Sequence, residues 1–366
     1  MWIIIFAVAM LSGLAAAVYM AHKVERTGIF DRFTGKAPRL LLAVLVVAAV
    51  VALLCCLFDV TNTIVIVIHL AFFLLMGDLV YVVTVKSFGK EVRPQLFDLA
   101  ALIFCFIYMC IGWYLMHGLW ETDYSLTTKK NVQTLRIAQI ADSHVGTGFD
   151  GKGFGERLER IQQTAPDILV ITGDFVDDDT QRSDMEDACA ALGDFDAPYG
   201  KYFCFGNHDR GYYANERRGY SGDDLIKELE KNGVRVLQDE SVLLDNGYYV
   251  IGRCDAGYGG SSRMSAQELA EGLDRSRYMI VLDHQPVDYE AEAEAGFDLV
   301  LSGHTHGGQL WPLEYVQPLL SENDRVRGHE RQKDTDFIVT DGISDWAVKF
   351  KTGCRSEFNI IDVRKE

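Results

Sequence analysis

This sequence of 366 residues has no CxxC motif and no excess of positive charge. None of its eight cysteines belongs to a CxxC pair, which argues against a zinc ribbon and a dense disulfide framework, so buried free thiols are expected. Residues 121–366 contain 27 Lys and Arg but 46 Asp and Glu. Because non-specific nucleic-acid binding relies on Lys and Arg against phosphate, no nucleic-acid partner is expected.

Four long apolar stretches in residues 1–120 contain no Lys or Arg; they are Trp2–Ala21, Leu40–Phe58, Ile64–Val85 and about Leu96–Trp120. A helix needs about 20 apolar residues to cross a bilayer, and each stretch is long enough. We therefore predict a four-span transmembrane region over residues 1–120. A polar linker over 121–134 and a soluble α/β domain over 135–366 are predicted to follow.

Basic residues lie in the first and third loops between these stretches and are absent from the second; they are Lys23, Arg26, Arg32, Lys36 and Arg39, then Lys86, Lys90 and Arg93. The positive-inside rule places both loops in the cytoplasm, which predicts a multi-pass cell-membrane protein with an extracytoplasmic soluble domain. Four unpaired cysteines in that domain favour the opposite, cytoplasmic placement, because they are unusual in an oxidising space.

The acidic side chain of Asp78 lies within the third apolar stretch, which also contains His69. Such a residue in a membrane segment is a candidate functional group. The alternative is a hydrogen bond inside the helix bundle or a position near its end. We favour this alternative because no partner at a defined spacing accompanies Asp78.

Five apolar strands are predicted in the soluble domain, and each ends in Asp, Asn or His; they are Leu135–Ala141, Ile168–Thr172, Tyr202–Phe205, Tyr278–Leu282 and Leu299–Ser302. A predicted helix near Phe154–Thr164 joins the first two, which makes a βαβ unit with parallel strands. In open α/β sheets, ligands bind beyond the carboxyl ends of the strands. The five polar clusters are therefore expected to converge on a single site.

The clusters supply imidazole, carboxylate and amide groups; the side chains are Asp142, His144, Asp174, Asn207, His208, His284, His304 and His306. These groups suit divalent Mn, Fe, Zn or Co. They are too many for one tetrahedral zinc site but suffice for two metals with a bridging carboxylate, which can clamp a phosphoryl group. A lone histidine is more often a core residue than a ligand, but here five of the domain's six histidines lie in these clusters.

The motifs around these residues resemble the five blocks of calcineurin-like metallophosphoesterases; they are Asp142-Ser143-His144, Gly173-Asp174-Phe175-Val176-Asp177, Gly206-Asn207-His208-Asp209, the strand end at His284 and Gly303-His304-Thr305-His306. The longer run from Ser302 to Gln309 is similar to a bacterial branch that includes YkuE- and YaeI-type phosphoesterases and certain UDP-diacylglucosamine pyrophosphate hydrolases. The resemblance covers about residues 134–364. It implies a four-layer α/β/β/α sandwich of two mixed sheets, here preceded by the four transmembrane helices.

The resemblance also implies a role for each matching side chain. The first metal would be held by Asp142, His144 and His306, the second by Asn207, His284 and His304, and Asp174 would bridge the two. His208 would stabilise the phosphoryl oxygens or protonate the leaving group, and Asn207 would also face the substrate. Asp177 resembles a carboxylate that pairs with His208, and Asp209 competes for that role.

Basic residues near the C-terminus, which are Lys349, Lys351 and Arg355, meet substrate phosphate in one interpretation and form a solvated basic face in the other. Of these, Arg355 is the predicted substrate-binding residue.

The resulting hypothesis is a membrane-anchored phosphoesterase that depends on two divalent metal ions. It would hydrolyse a phosphoester or pyrophosphate bond by attack of a metal-bound hydroxide, on a membrane-associated or envelope-associated substrate such as a lipid-linked one. The alternative is a membrane sensor with a degenerate phosphoesterase domain. Such a protein would usually have lost a metal ligand or His208, and none is missing. The choice between mono- and phosphodiesterase activity and the oligomeric state stay open.

Overall fold

The computed structural model describes residues 2–89, 92–212, 217–256 and 263–366, without the side chains of residues 2–6. The predicted loop residue Lys90 lies outside these ranges. The chain forms two compact units, Met1–Gly112 and Trp113–Glu366.

The first unit is built from apolar helices; they are α1 (Trp2–Glu25), α2 (Lys36–Phe88) and α3 (Pro94–His117), whose last residues belong to the second unit. All three are long and apolar enough to cross a membrane. The second and third predicted spans both lie in α2, which consists of two helices that meet at a kink, so three continuous elements contain the four predicted spans.

The helix α2 is interrupted at Asp59, which has φ 73° and ψ 175°. The Asp59 carboxylate accepts a hydrogen bond from the Asn62 backbone amide at 2.9 Å, as an N-cap residue does. Asp59 therefore begins the second of the two helices in α2, which follows the first without an intervening loop.

The carboxylate of Asp78 is hydrogen-bonded inside the first unit. Tyr19 donates its hydroxyl to Asp78 at 2.6 Å, and Lys23 forms an ion pair with Asp78. Lys23 also reaches Asp98 at 2.6 Å. The structural interpretation of Asp78 is thus confirmed.

The described residues of the second unit form two six-stranded sheets. In chain order, the strands are β1 (Trp120–Thr128), β2 (Leu135–Ile140), β3 (Ile168–Thr172), β4 (Lys201–Cys204), β5 (Val234–Val236), β6 (Glu240–Leu243), β7 (Tyr249–Gly252), β8 (Met279–Leu282), β9 (Leu299–Ser302), β10 (Gly328–Gln332), β11 (Thr335–Val339) and β12 (Glu357–Lys365). The first sheet has the order β1-β12-β2-β3-β4-β5 and the second β10-β11-β9-β8-β7-β6. Both are mixed, because β12 is antiparallel to β2, and β6 and β10 are antiparallel to their neighbours.

The helices of this unit are α4 (Gly151–Gln162), α5 (Arg182–Asp194), α6 (Gly222–Lys231), α7 (Ala266–Ala270), α8 (Tyr289–Ala295) and α9 (Leu313–Leu320). One core lies between the two sheets. A second core joins the first sheet to α4, α5 and α6, and a third joins the second sheet to α7 and α8. The expected four-layer α/β/β/α sandwich is confirmed.

Strand β3 shows why the central strands read as continuous apolar runs. Ile168 and Val170 point into the core between the sheets, whereas Leu169 and Ile171 point into the core under the helices. Both faces of the strand are buried, as in parallel sheets covered on both sides. β3 pairs in parallel with β2 across α4, so the predicted βαβ unit is confirmed.

The predicted linker over residues 121–134 is wrong in its first half. Its residues belong to β1, which pairs in parallel with β12 along the edge of the first sheet. Along β1, exposed residues alternate with more buried ones, and only Leu126 and Thr128 are fully buried. A polar edge strand of this kind needs little apolar surface, so its composition resembles that of a loop.

All eight cysteines are free, so the prediction of unpaired thiols is confirmed. Cys105, Cys189, Cys204 and Cys354 are buried, whereas Cys56 and Cys110 are exposed on apolar helices. The prediction of burial therefore holds for half of them.

Candidate metal centre

The polar loops that follow β2, β3, β8 and β9 are hydrogen-bonded to one another. The His144 amide donates to the Asp174 carbonyl at 3.1 Å, and the Gly303 amide donates to the His284 carbonyl at 3.0 Å. The His304 amide donates to the Asp142 carboxylate at 3.0 Å and so joins the two sheets. The ends of these four strands therefore converge, as the sequence predicted.

The side chains of these loops form two groups with metal-ligand geometry; the groups are Asp142, His144 and His306, and Asp174, His284 and His304. Within each group, the potential ligand atoms lie within 4.8 Å of one another. The Asn207 side-chain oxygen is 3.2 Å from His284 Nε2, beside the second group. This partition is the one that the sequence resemblance implied.

One carboxylate oxygen lies between the two groups. Asp174 Oδ2 is 3.1 Å from His284 Nε2 and 3.7 Å from His144 Nε2. A single oxygen that faces ligands of both groups has the position of a bridging ligand.

Five of these residues adopt the left-handed backbone region; their φ values are 53° at Asp142, 37° at His144, 51° at Asp174, 72° at His304 and 50° at His306. Such conformations cost about 1–3 kcal/mol each and concentrate at functional sites. Here they turn the chain sharply after each strand, so that short loops direct their side chains to one point.

The residues of the two groups fit divalent cations, both in the chemistry of their donor atoms and in a buried nitrogen that lacks a hydrogen bond. Within the described parts of the chain, His144 Nε2 is buried and has no hydrogen-bond partner. Buried polar atoms normally have one. Nitrogen and carboxylate oxygen are the donors that Mn, Fe, Zn and Co accept, so two such cations fit the two groups.

Burial and neighbouring charges shift the pKa values of three side chains in the site. Burial raises the pKa of Asp142 to about 6. Burial opposes protonation of His144, but the carboxylates of Asp177, Asp174 and Asp142 raise its pKa to about 9. Burial and the charge of His284 lower the pKa of His304 to about 3. A bound cation would replace the protons on the ligand atoms.

Comparison with known proteins agrees with this arrangement. The family model for calcineurin-like phosphoesterases matches residues 135–308. An uncharacterised metallophosphoesterase of Aquifex aeolicus is 33% identical over 213 residues, which cover 55% of this chain and 76% of that protein. The chain belongs to the calcineurin-like metallophosphoesterase family.

The chain matches less than two thirds of the length of two other relatives. An uncharacterised metallophosphoesterase of Campylobacter jejuni is 29% identical over 234 residues, which cover 63% of this chain but 59% of that protein. A transmembrane protein with metallophosphoesterase domain from Bos taurus is 26% identical over 242 residues, with 62% of this chain and 52% of that protein covered. The narrower resemblance to the YkuE and YaeI branch stays a prediction.

Asp177 lies against His144 rather than His208. Its Oδ2 atom is 3.4 Å from His144 Nδ1. Its Oδ1 atom accepts hydrogen bonds from the backbone amides of Asp179 at 2.7 Å and Thr180 at 3.2 Å. The predicted pairing with His208 is therefore corrected: the turn that follows Asp177 directs its carboxylate to His144, a candidate metal ligand.

Asp209 connects two loops of the site through hydrogen bonds. Its buried carboxylate accepts hydrogen bonds from four backbone amides, those of Asp174, Phe175, Val176 and Gly206, at 2.7–3.1 Å. These contacts hold the loops after β3 and β4 side by side. Asp209 thus has a structural role and does not compete for His208.

His208 is half-buried beside the two groups. Its backbone amide donates to Asp174 Oδ1 at 2.8 Å. The centroid of its ring lies 5.0 Å from those of His144 and Tyr212 and 5.8 Å from that of Trp346. Burial lowers the pKa of His208. The Tyr212 hydroxyl accepts a hydrogen bond from the Asn207 side chain at 2.7 Å.

Sequence reasoning missed Asp345, which is fully buried with its Oδ1 atom 3.4 Å from His306 Nδ1. It also missed Tyr212 and Trp346, the aromatic neighbours of His208. A signal existed for Asp345, because the apolar residues of β11 also run into polar residues, Thr340 and Asp341. Extending the strand-end rule to this sixth strand would have drawn attention to the segment.

The predicted substrate-binding residue Arg355 is placed elsewhere. It donates to the Thr122 hydroxyl at 3.3 Å, and its guanidinium lies 5.9 Å from the Trp120 ring centroid, both on edge strand β1. Lys351 is fully buried and donates to the Asp341 carbonyl at 2.5 Å. It therefore forms neither a phosphate contact on the surface nor a solvated basic face. Charge alone could not reveal which of these side chains the C-terminal segment buries.

Proposed function

We propose that this protein is a dinuclear-metal phosphoesterase that hydrolyses a phosphoester or pyrophosphate bond. The observation that carries the proposal is the position of Asp174 Oδ2, which faces a ligand histidine of each group. A single-metal site has no use for such a bridge, whereas two metals that share a carboxylate can act on one phosphoryl group.

The metal-holding residues follow from the two groups. Asp142, His144 and His306 would hold one cation, and Asn207, His284 and His304 would hold the other, with Asp174 shared. When bound, the two cations would polarise the phosphoryl group and activate water for in-line attack. The ligand types favour Mn, Fe, Zn or Co.

His208 is the side chain assigned to the substrate. It is half-buried, it is next to Asn207, and its ring approaches that of the ligand His144. From there, its imidazole donates a hydrogen bond to a phosphoryl oxygen or a proton to the leaving group. Asp177 and Asp345 act behind the ligands, because each faces the Nδ1 atom of a ligand histidine.

The catalytic test uses purified full-length protein with Mn²⁺ and bis-p-nitrophenyl or p-nitrophenyl phosphate. Turnover is expected, and His208→Ala should lower kcat about 100-fold or more while both metals stay bound. His329→Ala is the matched control, because His329 pairs with Asp336 at 2.8 Å outside the two groups. A protein that binds two ions but turns over neither compound with any of the four metals would instead be the sensor alternative.

The location of the site is part of the proposal. The loop charges favour an extracytoplasmic catalytic unit, and the three apolar helices support a membrane anchor. Fusions of alkaline phosphatase or a fluorescent protein to the C-terminus distinguish the two sides. Phosphatase signal without fluorescence is expected, and the reverse result would place the site in the cytoplasm.

A further inference from the structure

Helix α9 has an apolar surface without a buried side chain. We define the α9 surface as Trp311, Leu313, Tyr315, Leu319 and Leu320. Tyr315 is 68% exposed and Leu319 is 82% exposed. A helix as apolar as this one is normally buried. Elsewhere in the described part of the second unit, large exposed apolar side chains occur singly or in a neighbouring pair. The α9 surface is the largest cluster of them in that part.

The polar side of α9 is fixed to the loop that follows the metal-ligand residue His306. Glu314 pairs with Arg327 at 3.5 Å, and Arg327 pairs with Asp341 at 2.9 Å. The helix packs so closely that a Cβ atom on Gly308 would lie 2.5 Å from the Glu314 Cα. The exposed surface is therefore rigidly connected to the metal centre.

The last turns of α3, a candidate membrane span, belong to the second unit. Trp113 and Tyr114 lie there and are exposed. Trp and Tyr are enriched where transmembrane helices leave the bilayer. The Ser356 amide donates to the Leu115 carbonyl at 2.9 Å, and the Ser356 hydroxyl donates to the Met116 carbonyl at 2.7 Å. The segment 350–356 thus holds the end of α3.

The same segment holds the start of α9. The Thr352 amide donates to the Gln309 carbonyl at 2.9 Å, and the Trp311 amide donates to the Thr352 hydroxyl at 3.1 Å. Within the second unit, the α9 surface and the aromatic end of α3 are therefore attached to one short segment. This attachment to α3, a candidate membrane span, favours a bilayer as the occupant of the α9 surface.

We propose that the α9 surface is embedded in the interface of the lipid bilayer and holds the metal centre at the level of the lipid headgroups. Exposed Trp, Tyr and Leu on a short helix suit this environment. Residues 311–320 contain no Lys or Arg, so apolar burial drives the contact, without attraction to anionic lipid. The substrate class that follows is a phosphoester on a lipid headgroup or lipid-linked intermediate. This assignment of substrate rests on the proposed function, whereas the docking does not.

The docking is tested by tryptophan quenching with the full chain in nanodiscs of brominated phosphatidylcholine. The chain has five tryptophans, so the contribution of Trp311 is the difference between wild type and Trp311→Phe. We expect quenching of Trp311, equal in discs with and without phosphatidylglycerol. In Leu319→Glu/Leu320→Glu, quenching should fall to the level of Trp311→Phe. Leu243→Glu is the matched control, because Leu243 is 46% exposed on edge strand β6, and it should match wild type.

Two results would overturn the docking: no difference between wild type and Trp311→Phe, or quenching that needs anionic lipid. A dimer in detergent that Leu319→Glu/Leu320→Glu dissociates, without lipid quenching, would assign the surface to a second copy of the chain. Turnover of bis-p-nitrophenyl phosphate with Mn²⁺, measured on the same samples, should be unchanged within about twofold, because these exposed side chains lie outside the metal centre. Trp311 quenching without turnover in wild type would leave the docking valid and overturn the proposed function.

Discussion

Buried carboxylates lie behind two of the candidate ligand histidines, His144 and His306. Asp177 faces Nδ1 of His144 at 3.4 Å, and Asp345 faces Nδ1 of His306 at 3.4 Å. A carboxylate in that position selects the tautomer and ring orientation that leave Nε2 free for a metal. His284 reaches the same result with a backbone carbonyl, because its Nδ1 lies 2.8 Å from the Thr172 oxygen.

Replacing Asp345 should weaken metal binding without unfolding the protein. Asp345→Asn keeps the shape of the side chain but removes the charge behind His306, so the affinity for Mn²⁺ should fall about 10–100-fold. Calorimetric titration of the metal-free protein measures this. Asp362→Asn is the control, because Asp362 pairs with Arg136 at 2.8 Å on the sheet surface. If the two variants bind Mn²⁺ with equal affinity, Asp345 does not position His306.

Gly206 is required for the close approach of the Asp174 carboxylate. A Cβ atom at this position would lie 2.2 Å from Asp174 Oδ1, so Gly206→Ala must displace the bridging residue. We expect fewer than two metals per chain by elemental analysis and a corresponding loss of turnover. In Gly155→Ala, the added Cβ would meet Ala191 at 3.4 Å, an ordinary contact. This control should bind two metals, and a full complement in Gly206→Ala would contradict the bridging role of Asp174.

At the scale of elements, the helices under the first sheet show how local signals position the site. The carboxylate of Asp150 caps α4 by accepting a hydrogen bond from the Gly153 amide at 2.8 Å. The helix then buries Phe154, Leu158 and Ile161 against the sheet. Its packing supports β2 and β3, the strands whose ends carry Asp142 and Asp174.

Removing this cap should destabilise the second unit modestly. Asp150→Ala leaves the Gly153 amide without its acceptor and should lower the free energy of unfolding by about 1 kcal/mol. Asp150→Asn keeps an acceptor and should stay close to wild type. Urea denaturation followed by tryptophan fluorescence compares the two. Equal losses would mean that the charge, and not the hydrogen bond, is what matters.

On the scale of the whole molecule, the net charge of −17 and the buried carboxylates make cations a source of stability. Ligands that bind only the folded state stabilise it by mass action, which amounts to about 2.7 kcal/mol per site at a concentration 100 times Kd. The candidate metal centre lies at the carboxyl ends of strands from both sheets. Metal binding should therefore stabilise the entire second unit.

Removal of metal should accordingly lower the thermal unfolding midpoint. A chelator should shift Tm downward by several degrees, and excess Mn²⁺ should restore it. In His306→Ala the shift should be smaller, whereas His329→Ala should respond as wild type does, since only His306 belongs to a ligand group. A chelator effect of the same size in His306→Ala would show that the stabilising cation binds elsewhere.

From the sequence alone, most of the architecture of the second unit and the two groups of candidate metal ligands could be predicted. Both depend on local patterns: apolar strands, the polar residues that end them, and a fold rule that brings parallel strand ends together. The partners of Asp177, Asp345 and Arg355 were decided only by the tertiary structure. Left-handed residues turn each loop through a large angle, and sequence spacing does not report the direction in which a side chain leaves such a turn. The same holds for polar strand β1 and buried Lys351, because their neighbours come from distant parts of the chain.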